Sequence, residues 1–472
     1  VPEQLIDWSA RALAGAIRRR ELSSVEVVGA FLDRIEAVDD RVNAITTRVP
    51  RAQVLAAARE ADERLAAGQP VGPLHGLPIA VKDLMDVAGL PTTHGAVPYR
   101  DAPPATADSR LAARLRAAGV IFIGKTNTPE HGLGTLTFND LFGPTRSPWD
   151  LSANAGGSSG GAAAAVAARM LPFADGSDSG GSLRYPAAFC GVLGLRPSPG
   201  RVPSGRRGDG WSPHGVLGPI ARDAADAGLL LSAMAGRDDR APLSIDQDPA
   251  AFADVEAAPL EGLRIAWAPT AGGLPVERAV LEVLEKLARG LVAAGAVVEP
   301  VEPEFFEDMD ACWQVLEMLG FYEFAAGDVA RHGGLMSADL VRNVAEGEAL
   351  SAAEIVRAQG LRTEIFRRTV ALLDDYDLLA TATTPVVSVP ADVRWPRSVA
   401  GTAMERYFEW QRLACRITVT AHPALSLPAG FTAGGLPVGV QLVGRHRGEL
   451  QLLRQAAAME TVTGCRSTAP PL

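Results

Sequence analysis

The chain has 472 residues, 47% of them hydrophobic, and a formal net charge of −10. That is ample material for a core, the acidic balance argues against a nucleic-acid binder, and no apolar run reaches the roughly 18 residues a bilayer span needs. Four cysteines, Cys190, Cys312, Cys415 and Cys465, lack CxxC spacing and are too few for a disulfide scaffold, so a reducing cytoplasm is the default expectation.

The chain starts at Val1 without a signal-like apolar region, which leaves upstream residues and a removed leader open. Residues 9–68 read as helices: Ser23 and Glu26 have capping-box spacing, and Val27, Phe31 and Ile35 recur at helical intervals. Residues 74–87 open an α/β part, with Leu77, Ile79 and Val81 on one strand face and Lys82 on the other. A helix over 109–118, a strand over 120–123 and a loop from Gly124 to Glu130 come next. Two glycine-flanked serine clusters follow, with Ser158 and Ser182 24 residues apart. One helix (about 160–170) and a short strand (171–174) between them would return the chain and set both serine loops side by side. Later strands are predicted near 263–268, 296–301, 378–382, 424–428 and 437–443, and helices near 223–234, 276–294, 305–330, 351–373 and 447–461. The fold class is therefore α/β, a mixed central β-sheet covered by helices on both faces. Segment 237–260, rich in Pro, Asp and Ala, is the best linker candidate but is short. The reading is thus one domain, 1–472, with an N-terminal helical layer (1–68), a serine-rich core (73–220) and the rest of the sheet and its helices (260–472).

Of 45 basic residues only Lys82, Lys125 and Lys286 are lysine. Arginine serves equally well as a solvated charge but does not lose its proton, whereas a desolvated lysine can. Lys286 lies on a helix whose apolar face is Val280, Leu284, Leu287 and Leu291, and reads as a solvated charge. Lys82 and Lys125 each follow an apolar strand-like run. Gly119 to Thr126 fits the P-loop expression, but its variable residues are themselves a strand and the order strand, glycine loop, helix is not met. Gly156-Gly-Ser-Ser-Gly160 fits the Gly-x-Ser-x-Gly elbow, yet 149–155 does not read as the required strand, and no acid is marked out as partner for His422 or His446. No histidine stands at metal-ligand spacing, so neither a metal nor another cofactor is expected. A serine nucleophile would then need another proton acceptor, and a lysine lowered in pKa by burial is one. Lys82 with Ser158 and Ser182 supplies the parts.

The motifs resemble those of the amidase signature enzymes: 73–83 (Pro-Leu-His-Gly-Leu-Pro-Ile-Ala-Val-Lys-Asp), 124–130 (Gly-Lys-Thr-Asn-Thr-Pro-Glu), 143–150, 156–161 and 176–187, with an echo at 422–431 and 435–444. Five motifs in order make the match specific, and it is weakest over 237–410. The resemblance implies an acyl-enzyme on Ser182. Ser158 would be the relay, preceded by a cis peptide bond, with neutral Lys82 as base and Ser159 a structural start to the next helix. The N–H groups of Ser179, Gly180, Gly181 and Ser182 would form the oxyanion hole. Ser179 stands where the family often has Thr, which leaves its backbone donor intact. The resemblance also implies a small-molecule amide or carbamate (urethane) as substrate, with esters accessible to the same chemistry. A glutaminase subunit of an amidotransferase complex, an α/β-hydrolase-like esterase and a non-catalytic binding protein on this fold remain alternatives. Aromatic-rich 305–324 reads either as ordinary helix core or, through Trp313, Phe321 and Tyr322, as the wall of a substrate pocket. Whether Cys312 enters that pocket, and whether the chain forms a homodimer, stay open.

Overall fold

In the computed structural model, which describes residues 4–204 and 210–472, the serine clusters lie at the seam between two sheets. The first three residues of the predicted N-terminal layer fall outside that range. The larger sheet has eight strands in the order Val297–Pro300, Arg264–Trp267, Leu378–Ala382, Pro437–Val443, Ala424–Phe431, Leu193–Arg196, Val216–Ala221, Phe173–Asp178. The first three run parallel and the other pairings are antiparallel, so the sheet is mixed as expected. The smaller sheet places Ile121–Thr126 between Ile45–Arg48 and Pro78–Lys82. Helices flank the sheets, and the whole is a single α/β domain.

The N-terminal helices Ala10–Arg18, Ser24–Val42 and Arg51–Ala66 form where the apolar period placed them, and the Ser23–Glu26 capping box is made in both directions. The layer is not all helix. Ile45–Arg48 is an edge strand on Ile121–Thr126, and four residues, two of them Thr, carry too little alternation to announce it. The strand expected to end at 123 runs on through Gly124, Lys125 and Thr126, so these residues are strand and not loop. Gly124 must be glycine there, because a Cβ would meet the Thr47 carbonyl oxygen at 2.1 Å. The strand expected at 171–174 is Phe173–Asp178, and Asp150–Asn154, read as irregular, forms a small hairpin with Arg146–Ser147. The candidate linker is no tether: Phe252 and Val255 are buried in the core. Lys286 is exposed, and Val280, Leu284, Leu287 and Leu291 are buried beneath it, as their spacing required.

Candidate active site

Lys82 ends the Pro78–Lys82 strand, every residue of which is buried. Its side chain is fully buried, and its Nζ donates to Ser158 Oγ at 2.8 Å, Ser159 Oγ at 2.9 Å and Ser177 Oγ at 3.0 Å. Its backbone N–H donates to Asp175 Oδ1 at 3.1 Å, which stitches the small sheet to the edge strand of the large one. Burial raises the Asp175 carboxyl to about 6, against the pull of that N–H and of Lys82.

Ser158 follows a cis Gly157–Ser158 bond at the entry to the alanine-rich helix Gly160–Ala167. Gly157 lies so close to the neighbouring loop that a Cβ would stand 2.7 Å from the Leu136 carbonyl carbon. Ser159 holds the N-cap position, but its hydroxyl makes no cap bond: it accepts from Lys82 and lies 3.3 Å from the donating Ser177 N–H. The backbone N–H of Ser159 donates to the Ser182 carbonyl at 3.2 Å, so the two serine loops are joined directly.

Ser182 comes after the turn that leaves the Phe173–Asp178 strand. Asp178 organises that turn, its Oδ1 accepting from the Gly181 N–H at 3.0 Å and its Oδ2 from the Leu183 N–H at 3.1 Å. Burial opposes ionisation of Asp178, but Arg184 and Arg196 outweigh it and hold the carboxyl well below the usual carboxylate range. Of the four N–H groups expected to form an oxyanion hole, that of Gly181 is thus engaged by Asp178. Gly181 itself has φ 111°, and a Cβ there would meet Ala414 Cβ at 2.6 Å, so the turn is closed to other residues.

Ser158, Ser177, Ser179 and Ser182 open into one cleft of about 550 Å³, its mouth included. Its far wall is one stripe of the long helix Phe306–His332, formed by Glu317, Gly320, Phe321 and Phe324. Of the three predicted pocket residues, Phe321 lines the cleft. Trp313 stands behind it, its indole N–H on the Ser179 carbonyl at 2.9 Å and its ring edge 3.0 Å from where a Gly180 Cβ would be. Tyr322 is turned outward, 38% exposed, with its Cβ packed over Gly347. Cys312 stays out of the cleft: it is buried with its thiol on the Ala358 carbonyl at 3.4 Å, and burial pushes the thiol up to about 11. His422 and His446 pack around Phe366, away from the serines.

The amidase family model matches residues 26–453. The chain belongs to the amidase signature family. An acylamidase of Rhodococcus erythropolis is 38% identical over 466 residues, covering 98% of this chain and 96% of that one. A glutamyl-tRNA(Gln) amidotransferase subunit from Salinispora tropica is 36% identical over 506 residues, covering 98% of each. The crystal structure of a bacterial aryl acylamidase of the same family superposes with a TM-score of 0.88 at 30% identity, covering 97% of this chain and 96% of that one. The protein is therefore a hydrolase that acts on amides, and among its described residues no helix is long and apolar enough to cross a membrane.

Three residues of this amidase's cleft were not among the expected site residues. His131 lies in the cleft wall stacked on His94, with burial lowering it to about 4. His214 and Glu317, 103 residues apart, meet at 2.8 Å, and Glu317 Oε1 accepts from Ser179 Oγ at 3.3 Å. Burial lowers the His214 imidazole, outweighing the neighbouring carboxylate. The one available hint was Glu317 itself, a charged residue in the same buried stripe as Trp313 and Phe321.

Proposed function

We propose that this amidase cleaves the C–N bonds of small amides, aryl amides and anilides foremost and carbamates with them, through an acyl-enzyme on Ser182. The 2.8 Å bond from Lys82 Nζ to Ser158 Oγ carries the reading, because it puts a buried amine one hydroxyl away from the cleft that Ser182 shares. Lys82 works as a neutral amine, since burial disfavours the ammonium. It takes the proton that Ser158 relays as Ser182 attacks the carbonyl carbon, and Ser158 returns a proton to the departing nitrogen. Water then attacks the acyl-enzyme with the same relay in the reverse sense. With the Gly181 N–H engaged by Asp178, the developing oxyanion falls to the N–H groups of Ser179, Gly180 and Ser182. One such donor is typically worth about 2.7–4 kcal/mol.

The relative from Salinispora tropica supports a second reading, a glutaminase subunit that passes ammonia to a partner. Against it stands the cleft wall. A glutamine α-carboxylate entering the cleft would meet the carboxylate of Glu317 on the facing helix. The experiment is a panel of p-nitroanilides, aryl carbamates, aliphatic amides and L-glutamine offered to the purified chain and to Ser182→Ala. Turnover of the anilides, absent in the variant together with fluorophosphonate labelling, is the expected result. Glutamine cleaved faster than every anilide, or labelling that maps to Ser158 or Ser159, overturns the reading.

A further inference from the structure

We propose that Glu317 makes the cleft selective for amides whose far end carries an ammonium or another N–H donor, and hostile to those ending in a carboxylate; this rests on the amidase reading of the same cleft. Glu317 is 8% exposed and stands in the stripe Glu317, Gly320, Phe321, Phe324 that faces Ser182. Two carboxylates that line the cleft with Ser182 are matched very differently. Asp178 has two guanidinium groups on it, from Arg184 and Arg196. Glu317 has the His214 ring on Oε2 and the Ser179 hydroxyl on Oε1.

Burial keeps His214 on the neutral side, so its Nε2–H donates to Glu317 without bringing a charge. The other ring nitrogen, Nδ1, is buried and has no hydrogen-bond partner, as suits a neutral tautomer protonated on Nε2. Arg196 is close by and its charge acts on Glu317, but its two terminal nitrogens are turned to the Asp178 carbonyl and carboxylate and to the His214 and Thr418 carbonyls, and its Nε has no hydrogen-bond partner. Glu317 therefore shows the cleft a carboxylate that, among the described residues, no guanidinium contacts directly, Arg196 acting on it only across a distance. A buried carboxylate in that condition is costly unless a positive group completes it, and the open side of this one is the cleft. Leu84, Phe321 and Phe324 supply apolar wall beside it. The preferred ligand then has an apolar alkyl or aryl body and a cationic or N–H-bearing end.

Glu317 also steadies Ser179, whose carbonyl is held from the other side by Trp313, so the test must separate charge from scaffolding. In the Ser182→Ala protein, which cannot form the acyl-enzyme, the p-nitroanilides of 5-aminopentanoic, hexanoic and glutaric acid are titrated by calorimetry. These differ chiefly in the ammonium, methyl or carboxylate at the far end. The ammonium compound is expected to bind at least about tenfold more tightly than the carboxylate, the scale of one poorly screened charge contact. Glu317→Gln, which keeps the shape and an acceptor for His214, should cut that ratio at least about threefold, while Ser179→Ala leaves it in place. A ratio below tenfold with Glu317 present overturns the proposal whether or not the glutamine variant folds, and so does a ratio that Glu317→Gln does not reduce. Turnover by the unsubstituted enzyme is read separately. If none of the three anilides is cleaved, the amidase reading of the cleft fails, while the titration still decides the selectivity.

Discussion

Lys82 and Lys125 sit on neighbouring parallel strands, one residue out of register, and both side chains are fully buried. Lys125 donates to Asp83 Oδ1 and to Thr92 Oγ1, each at 3.0 Å. Lys82 Nζ donates to three serine hydroxyls. The same residue type in the same layer of the fold thus meets two kinds of partner. A carboxylate partner holds a lysine in an ion pair that ties loop to strand, whereas hydroxyls can both accept from an ammonium and donate to an amine. Burial is shared by the two; in the proposed mechanism the chemistry of the partner separates a structural lysine from a proton carrier.

The largest expected effect tests that separation directly. Lys82→Arg should lower kcat/KM as far as Lys82→Ala, each by at least about 10³-fold, because arginine keeps the charge but cannot take a proton. An arginine variant that retains substantial amidase activity would make Lys82 a fixed charge, like Lys125. Next comes the serine pair. Ser158→Ala should cost about as much as loss of Lys82, whereas Ser159→Ala should cost about tenfold or less, since it removes one of several bonds to the amine and no atom of the relay. The reverse ranking in single-turnover kinetics would move the relay by one residue. On the structural side, Lys125→Met leaves the Asp83 carboxylate buried without its cation, a loss of roughly 3–5 kcal/mol. Thermal unfolding should show it as a large drop in Tm, and Lys82→Met should show a much smaller one. The smallest effect is at the cleft wall: Phe321→Ala should change the preference for aryl over short aliphatic amides by about tenfold, a few buried methylenes' worth of contact. An unchanged preference together with lower stability would make Phe321 core and not wall.

The meeting of Lys82 with the serine loops was legible in the sequence because its signals are local. Gly157 and Gly181 each mark a spot where a Cβ would collide with a neighbour, and a lysine in an arginine-rich chain invites the question of why it is there. The apolar periods placed the long helices for the same reason. The misses have a common cause, which is pairing that the segment's own residues do not announce. Ile45–Arg48 and Asp150–Asn154 are short and partly polar, and become strands only through a partner. Val216–Ala221 contains Gly218 and Pro219, residues that argue against a strand, yet it pairs along its whole length with Phe173–Asp178. Ser159 reads as a helix start, and it does hold the N-cap position, but its hydroxyl belongs to Lys82. Of the aromatic segment, one residue in three proved to line the cleft, because a helix turns its neighbours about 100° apart and the sequence does not say which way the stripe faces.

The bond from the Lys82 N–H to Asp175 spans the seam between the two sheets, and the proposed relay straddles that seam as well, with the amine on one side and Ser182 on the other. A proton relay tolerates only a few tenths of an ångström of drift, while sheet hydrogen bonds on either side survive a small slide intact. Catalysis is thereby made a gauge of the seam: under rising temperature or denaturant, turnover should fade while circular dichroism and tryptophan fluorescence still report a folded protein. For the same reason a substitution chosen to prolong working life belongs along this junction, and extra stability added at the far edge, around Val297–Pro300, would raise the melting point and leave the enzyme's useful lifetime where it was.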